Sequence, residues 1–196
     1  MQPLHLDRYN PDTHHRRSVR LREYDYSQAG AYFVTICTMN KECLFGNIRD
    51  EGIVLNECGQ VAADEWLRSA YIRGNIELDS FVVMPNHFHG IVIITCRGRG
   101  VLQYAPTDDK TPFRSPSQTI GAIVRGFKSR VTKRINTIRD TPGESVWQRN
   151  YYEHVIRNEK ELNGIREYIM NNPVQWELDE ENPACAGKKV LCVAQR

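Results

Sequence analysis

Apolar residues along this chain follow two periods, and the switches between them mark its elements. Ala31-Tyr-Phe-Val-Thr-Ile-Cys-Thr38 is β-branched and aromatic, follows Gly30, and predicts a strand. Two short apolar stretches between Leu44 and Leu55 flank Asp50-Glu-Gly52 and predict a hairpin. Asn56 stands as a cap before Val61, Ala62, Trp66, Leu67 and Ala70, whose three-to-four spacing predicts a helix. Ile76 to Met84 predicts a strand, Pro85-Asn86 breaks it, and His87 to Thr95 predicts its antiparallel neighbour. Gly98, Gly100, Pro106, Pro112 and Pro116 make 97–116 a loop. Ser117 is the expected cap of a second helix, with Ile120, Ile123, Val124, Phe127, Val131 and Ile135 on its apolar face. Val146 to Ile156 predicts an extended segment. Asn158 with Glu161 predicts a reciprocal cap on a last helix that stops before Pro173.

Strand, helix, two strands, helix, strand, helix is an α+β order. It fits a ferredoxin-like antiparallel sheet of four strands with two helices on one face. The last helix is an addition, free to carry a side chain over the sheet. Residues 1–20 lack periodicity and read as a flexible basic arm, 21–176 as a single domain, and 177–196 as an acidic-to-mixed tail.

Composition narrows the class. At 196 residues, 40% hydrophobic and 26% charged, the chain is expected to fold as one globular domain. Its longest apolar run, Ile91 to Ile94, is far short of the roughly 18 residues of a membrane span. The N-terminal stretch has no apolar core of a signal peptide, so a cytoplasmic protein without membrane contact is expected. Six scattered cysteines with no C-x-x-C pair predict reduced thiols rather than disulfides or a zinc site. A net charge of +2 hides segregation: Arg97 to Arg139 carries ten Lys/Arg against Asp108 and Asp109, while Glu177 to Asn182 is acidic. Such a face suits a polyanion, and a solvated surface is the plainer alternative.

Two patterns could carry chemistry. His87 and His89 are two apart on a strand, so both imidazoles face one side and Phe88 the other. Co-facing imidazoles can hold a divalent cation, though many H-x-H pairs are incidental. On the last helix, Glu161, Gly164, Tyr168 and Asn172 share a stripe, with Leu162, Ile165 and Ile169 on the buried face. Tyr168 and Asn172 thus stand one turn apart, as nucleophile beside metal ligand, or with Tyr168 as no more than a half-buried aromatic. Tyr151 and Tyr152 rival Tyr168 by residue type. They lie in an extended segment with no ligand one turn away, and suit core packing or base stacking better.

Three motifs in order, Met84-Pro-Asn-His-Phe-His-Gly90, Val146-Trp-Gln-Arg-Asn-Tyr-Tyr-Glu-His154 and Ile165-Arg-Glu-Tyr-Ile-Met-Asn-Asn-Pro-Val174, closely resemble the HUH single-tyrosine transposases. The REP-associated branch is the nearest likeness, from about Arg20 to Trp176, and it includes Gly30-Ala-Tyr-Phe-Val-Thr35. The resemblance implies that His87 and His89 bind the metal, that Tyr168 is the nucleophile and that Asn172 is the third ligand. Some relatives carry glutamine at that last position. It also implies Mg²⁺ or Mn²⁺ as the ion, a 5′-phosphotyrosine with a free 3′-OH, and the ferredoxin-like sheet. Free tyrosine has a pKa of about 10, so phenolate is scarce at neutral pH and the cation must lower the cost of attack on phosphate.

Single-stranded or hairpin DNA is then the expected partner. Arg125, Lys128, Arg130, Lys133 and Arg134 on the second helix, with Arg149, are its expected phosphate contacts. Trp147, Tyr151 and Tyr152 could stack bases or pack in the core. Two other readings stay open: a hairpin-binding protein without catalysis, and a metal-dependent hydrolase that does not need Tyr168. Monomer and homodimer read alike.

Overall fold

The computed structural model describes residues 28–95, 119–179 and 181–185. The expected arm at 1–20, the loop at 97–116 and the Ser117 cap lie outside these residues. Six strands and three helices are described: β1 (Gly30–Cys37), β2 (Gly46–Arg49), β3 (Gly52–Leu55), α1 (Glu57–Ile72), β4 (Ile76–Val83), β5 (His87–Ile94), α2 (Ile120–Arg139), β6 (Tyr152–Ile156) and α3 (Glu159–Asn171).

The main sheet runs β4-β5-β1-β6, antiparallel throughout, and β2-β3 form a separate hairpin. This is the strand order of the ferredoxin-like plan expected from the sequence. The hairpin turns through Asp50 and Glu51, both at positive φ (48° and 61°), the backbone a tight two-residue connection needs. At the start of α1, Asn56 Oδ1 accepts from Gly59 N–H while its amide donates to Leu44 O. A side chain at Gly59 would run into the Phe45 carbonyl, so glycine is what lets α1 close on the hairpin. In α2 the capping side chain is Thr119, accepting from Ala122 N–H, so this helix begins later than Ser117 suggested.

Alternation along the strands sorts side chains onto two faces. Tyr32, Val34, Ile36, Phe88, Val92 and Ile94 point to the face covered by α1 and α2. There Trp66, Phe88, Phe127, Trp147 and Phe45 form a chain of aromatic contacts with centroids 4.7–5.7 Å apart. The opposite face carries a smaller cluster, Phe33, Ile91, Ile156 and Ile169, flanked by Ala31, Val82, Leu162 and Ile165. Helix α3 lies on that face, as its Leu162-Ile165-Ile169 stripe requires. Trp147 is therefore a core residue, joined to Thr38 by an isolated bridge, and the strand expected from Val146 begins only at Tyr152.

The α1–α2 layer is fixed by a buried charge. Glu65, 1% exposed, takes Arg130 Nε at 2.8 Å and Arg134 Nη1 at 3.0 Å, while Arg130 Nη2 also reaches Ser69 Oγ at 2.7 Å. Burial pushes the Glu65 carboxyl up, and the two guanidinium groups outweigh it, leaving a net lowering. Among the described residues, no helix is long and apolar enough to cross a membrane. Glu65→Ala removes the acceptor shared by two partly solvent-exposed guanidinium groups and is expected to cost about 1.5–3 kcal/mol in urea denaturation. A loss under about 1 kcal/mol would mean the cluster is solvated and dispensable.

Candidate active site

Residues two apart on β5 put His87 and His89 side by side on the α3 face, ring centroids 4.5 Å apart. Both are buried, at 0% and 3% exposure. Register places Cys37 opposite His87 and Thr35 opposite His89 on β1. Thr35 Oγ1 lies 2.8 Å from His89 Nδ1, and Phe33 stacks on the same ring at 5.4 Å.

The tautomer of His87 follows from its neighbour. Asn86 donates both amide hydrogens, to Lys41 O at 3.2 Å and to Glu181 O at 2.6 Å. Its Oδ1 is therefore the acceptor facing His87 Nδ1 at 2.9 Å, and Nδ1 carries the proton. A lone pair is left on His87 Nε2, buried and without a hydrogen-bond partner among the described residues. The Pro85-Asn86 turn is itself pinned, because Thr38 N–H and Oγ1 both donate to Asn86 O.

Burial lowers the pKa of both imidazoles. For His87 the carboxylates of Asp179 and Glu181 and the Asn172 amide pull the other way without reversing it. For His89, well below its ordinary value, the adjacent His87 adds to the lowering. Both rings are thus neutral at neutral pH, the state a metal ligand must have.

Helix α3 brings the phenol. Tyr168, 43% exposed, packs its ring 5.2 Å from His89 and edge-on to Phe33 at 6.1 Å. Its hydroxyl is 3.3 Å from His89 Nε2. Phenol O–H is the donor available there, which leaves His89 Nδ1–H for Thr35. One turn on, Asn172 caps α3, is 2% exposed, and buries Oδ1 with no hydrogen-bond partner among the described residues. Two orphaned buried lone pairs, His87 Nε2 and Asn172 Oδ1, beside His89 make a donor set that fits a divalent cation. As they stand, no three His, Cys, Asp or Glu side chains among the described residues converge on one ion position.

The site opens into a cavity of about 470 Å³ lined by Thr35, His89, Tyr152, Tyr168, Asn172, Gln175, Leu178, Asp179 and Glu181. Tyr152 thus shares the cavity, yet only Tyr168 among the described tyrosines has its hydroxyl at hydrogen-bond distance from an imidazole. Tyr151 instead bonds Glu153 on the other side of β6. Burial and Glu181 push the Cys37 thiol up to about 12, so it offers no thiolate here.

Two contacts dock α3. Arg166 grips Asp79 with Nε–Oδ1 at 3.0 Å and Nη2–Oδ2 at 2.6 Å, at the point where the β4–β5 register shifts between Leu78 and Phe81. His154 Nε2 meets Glu161 Oε1 at 2.6 Å, and Glu161 Oε2 accepts from Arg157 N–H rather than closing the expected reciprocal cap on Asn158. Asn158 does accept from Glu161 N–H.

The expected phosphate contacts do not gather at the imidazoles. Helix α2 lies on the other face of the sheet. There Arg130 and Arg134 serve Glu65, and Lys128 Nζ donates to the carbonyls of Gln148, Arg149 and Asn150. Arg125, Lys133 and Arg149 are exposed, the last two on a groove of about 520 Å³ with Lys128 and Ser145. Sequence reasoning missed Asn86, Thr35, Asp79 and Asp179. Only Asn86 left a signal, as the polar residue in a turn before H-x-H.

No family model matches the chain. An uncharacterized protein of Haemophilus influenzae is 45% identical over 175 residues, 88% of this chain and 96% of its own length. A second protein of that organism, "Putative REP-associated tyrosine transposase", is 26% identical over 159 residues, 77% of this chain and 74% of its own. Among solved structures, a REP-associated tyrosine transposase bound to a REP hairpin shares the fold, with a TM-score of 0.52 at 23% identity over 81% of this chain and 74% of its own. The likeness to REP-associated tyrosine transposases thus holds in fold as well as in motif.

Asn86→Ala removes the group that sets the His87 tautomer and is expected to weaken Mn²⁺ binding by about 10- to 100-fold in calorimetry. Unchanged affinity would show that the ring orients itself. The Arg166 guanidinium holds the Asp79 carboxyl down at about 2, below its ordinary 3.8, with Ser80 N–H adding to it. A depressed carboxylate stabilises above its unfolded pKa and fails as pH falls through the folded one. Docking of α3, followed by the ring NMR signals of Tyr168, is expected to persist at neutral pH and loosen between about 4 and 2. Loosening complete above that window would exclude the Arg166–Asp79 clamp as its cause.

Proposed function

We propose that this chain, which belongs to the same family as the uncharacterized Haemophilus influenzae protein, cuts and rejoins single-stranded DNA through a covalent link to Tyr168. The observation that carries the reading is the phenol of Tyr168, 3.3 Å from His89 Nε2, beside the orphaned donors of His87 and Asn172. His87, His89 and Asn172 would hold the ion. A bound Mg²⁺ or Mn²⁺ would neutralise charge developing on a non-bridging phosphate oxygen.

The chain's own groups do the rest. Thr35 and Asn86 keep the imidazoles in place and leave both Nε2 atoms as potential metal ligands, that of His89 on the cavity wall and that of His87 buried beside Asp179. Arg166 and Glu161 hold α3 so that the phenol faces the cavity wall where the phosphate must lie. In the forward step the Tyr168 oxygen bonds to phosphorus and loses its proton to water. The bond from phosphorus to the 3′ oxygen breaks, and that oxygen takes up a proton as a free hydroxyl. A second 3′-OH then attacks the phosphotyrosine, restores the phenol and joins two DNA ends with no other energy source.

Hairpin-flanked DNA is the proposed substrate, supported by the fold shared with the hairpin-bound transposase. Tyr152, which lines the cavity, would meet it. A second reading, a hairpin-binding protein without catalysis, is favoured by one observation: the Asp179 and Glu181 carboxylates line the cavity that a phosphate would enter.

Tyr168→Phe keeps the ring and removes the nucleophile. In Mn²⁺, cleavage of a labelled single strand bearing a hairpin is expected to fall by a factor on the order of 10³ or more, with hairpin affinity kept within a few-fold. Full activity in this variant would end the assignment. Tight hairpin binding by the wild-type chain with no metal-dependent cleavage would favour the second reading.

A further inference from the structure

The segment after α3 does more than leave the domain. It makes a turn at Trp176–Leu178, and Asn182 closes it by donating its side-chain amide to Trp176 O at 2.9 Å. Asp179 N–H also bonds Trp176 O, and Glu181 N–H donates to Asp179 Oδ1 at 2.7 Å. One carboxylate oxygen of Asp179 is therefore tied to the backbone, and the other, Oδ2, faces His87 Nε2 at 3.8 Å.

That separation is too long for a hydrogen bond. Ring nitrogen and carboxylate oxygen face each other across a nearly buried gap, the Asp179 side chain being 12% exposed. Two potential ligand atoms held this close leave room for one ion to bond both. Donors of one divalent ion each lie about 2.0–2.2 Å from it, so two of them are about 3–4.4 Å apart, and 3.8 Å falls inside that range.

We infer that Asp179 closes in as a further ligand of the cation held by His87, His89 and Asn172, completing a set whose His and Asp side chains do not converge on one point in this structure, an inference that rests on the function proposed above. The chemistry of the set points the same way. Two imidazoles and an amide carry no charge, whereas Mg²⁺ and Mn²⁺ favour hard, anionic oxygen. Asp179 supplies that oxygen. Glu181 does not: it is drawn off by Lys41 Nζ at 3.1 Å and by the Cys37 thiol at 3.6 Å. Asn86 links both halves of the arrangement, because the amide that orients His87 also holds Glu181 O and with it the turn that carries Asp179.

The test is calorimetric titration of Mn²⁺ and of Zn²⁺ into the metal-free full chain, without DNA, in Asp179→Asn, Asp179→Cys, Glu181→Gln and His87→Ala. Asp179→Asn is expected to weaken Mn²⁺ binding by about tenfold or more, with Glu181→Gln within about threefold of wild type. Asp179→Cys is expected to shift the preference from Mn²⁺ toward Zn²⁺, as a thiolate ligand does and a merely structural residue does not. Wild-type Mn²⁺ affinity in Asp179→Asn, with binding lost in His87→Ala, overturns the inference and leaves the metal site standing. Tighter Mn²⁺ binding in Asp179→Asn overturns it as well. Wild-type chain that takes up no Mn²⁺ removes the metal reading and the inference together.

Discussion

Two imidazoles buried side by side must stay uncharged, and much of this fold is arranged around that constraint. Water cannot solvate them, and each ring would repel a charge on the other. The chain meets the constraint with neighbours that bond the neutral form: Asn86 on Nδ1 of His87 and Thr35 on Nδ1 of His89. Both bonds consume the inner nitrogens. The outer nitrogen of His89 is thereby turned toward Tyr168 on α3 and the cavity, and that of His87 toward Asp179.

The sheet separates two duties. Its rear face, packed by α1 and α2 around Trp66, Phe88 and Phe127, holds most of the buried apolar surface and the Glu65 charge cluster. Its front face carries a much smaller apolar cluster and gives the remaining area to the histidines, the tyrosine and the cavity. Phe88 shows the division in one residue: it anchors β5 in the rear core while its neighbours on either side serve the front. Because α3 has little apolar area to bury, its position depends on polar clamps, Arg166–Asp79 and Glu161–His154, at points separated by 87 and 7 residues in sequence.

Local periodicity explains what the sequence made legible. The His87–His89 alternation, the apolar stripe of the last helix and the one-turn spacing of Tyr168 and Asn172 are all short-range properties, and the fold places them as that spacing requires. Contacts across long stretches of chain left no such trace. Thr35 meets His89 over 54 residues and Asn86 meets Glu181 over 95, so neither could be read from spacing. The basic helix shows the limit of counting charges: Arg130 and Arg134 look like a phosphate-binding stripe, yet a single buried carboxylate, Glu65, takes both. The stretch after Trp176 reads from composition as an acidic-to-mixed tail, while its turn sets Asp179 against His87. A carboxylate in a run of acids says nothing of its partner until the turn geometry is known.

The central claim is that one particular oxygen, on Tyr168, becomes bonded to DNA. Trapping the intermediate on a hairpin-bearing single strand with Mn²⁺, digesting protein and DNA, and locating the nucleotide-linked residue by tandem mass spectrometry tests it most directly. The account predicts a 5′-phosphonucleotide on the peptide that contains Tyr168, and on no other tyrosine. Attachment at Tyr152, or cleaved DNA bearing a free 5′-phosphate with no protein attached at any time, would contradict it.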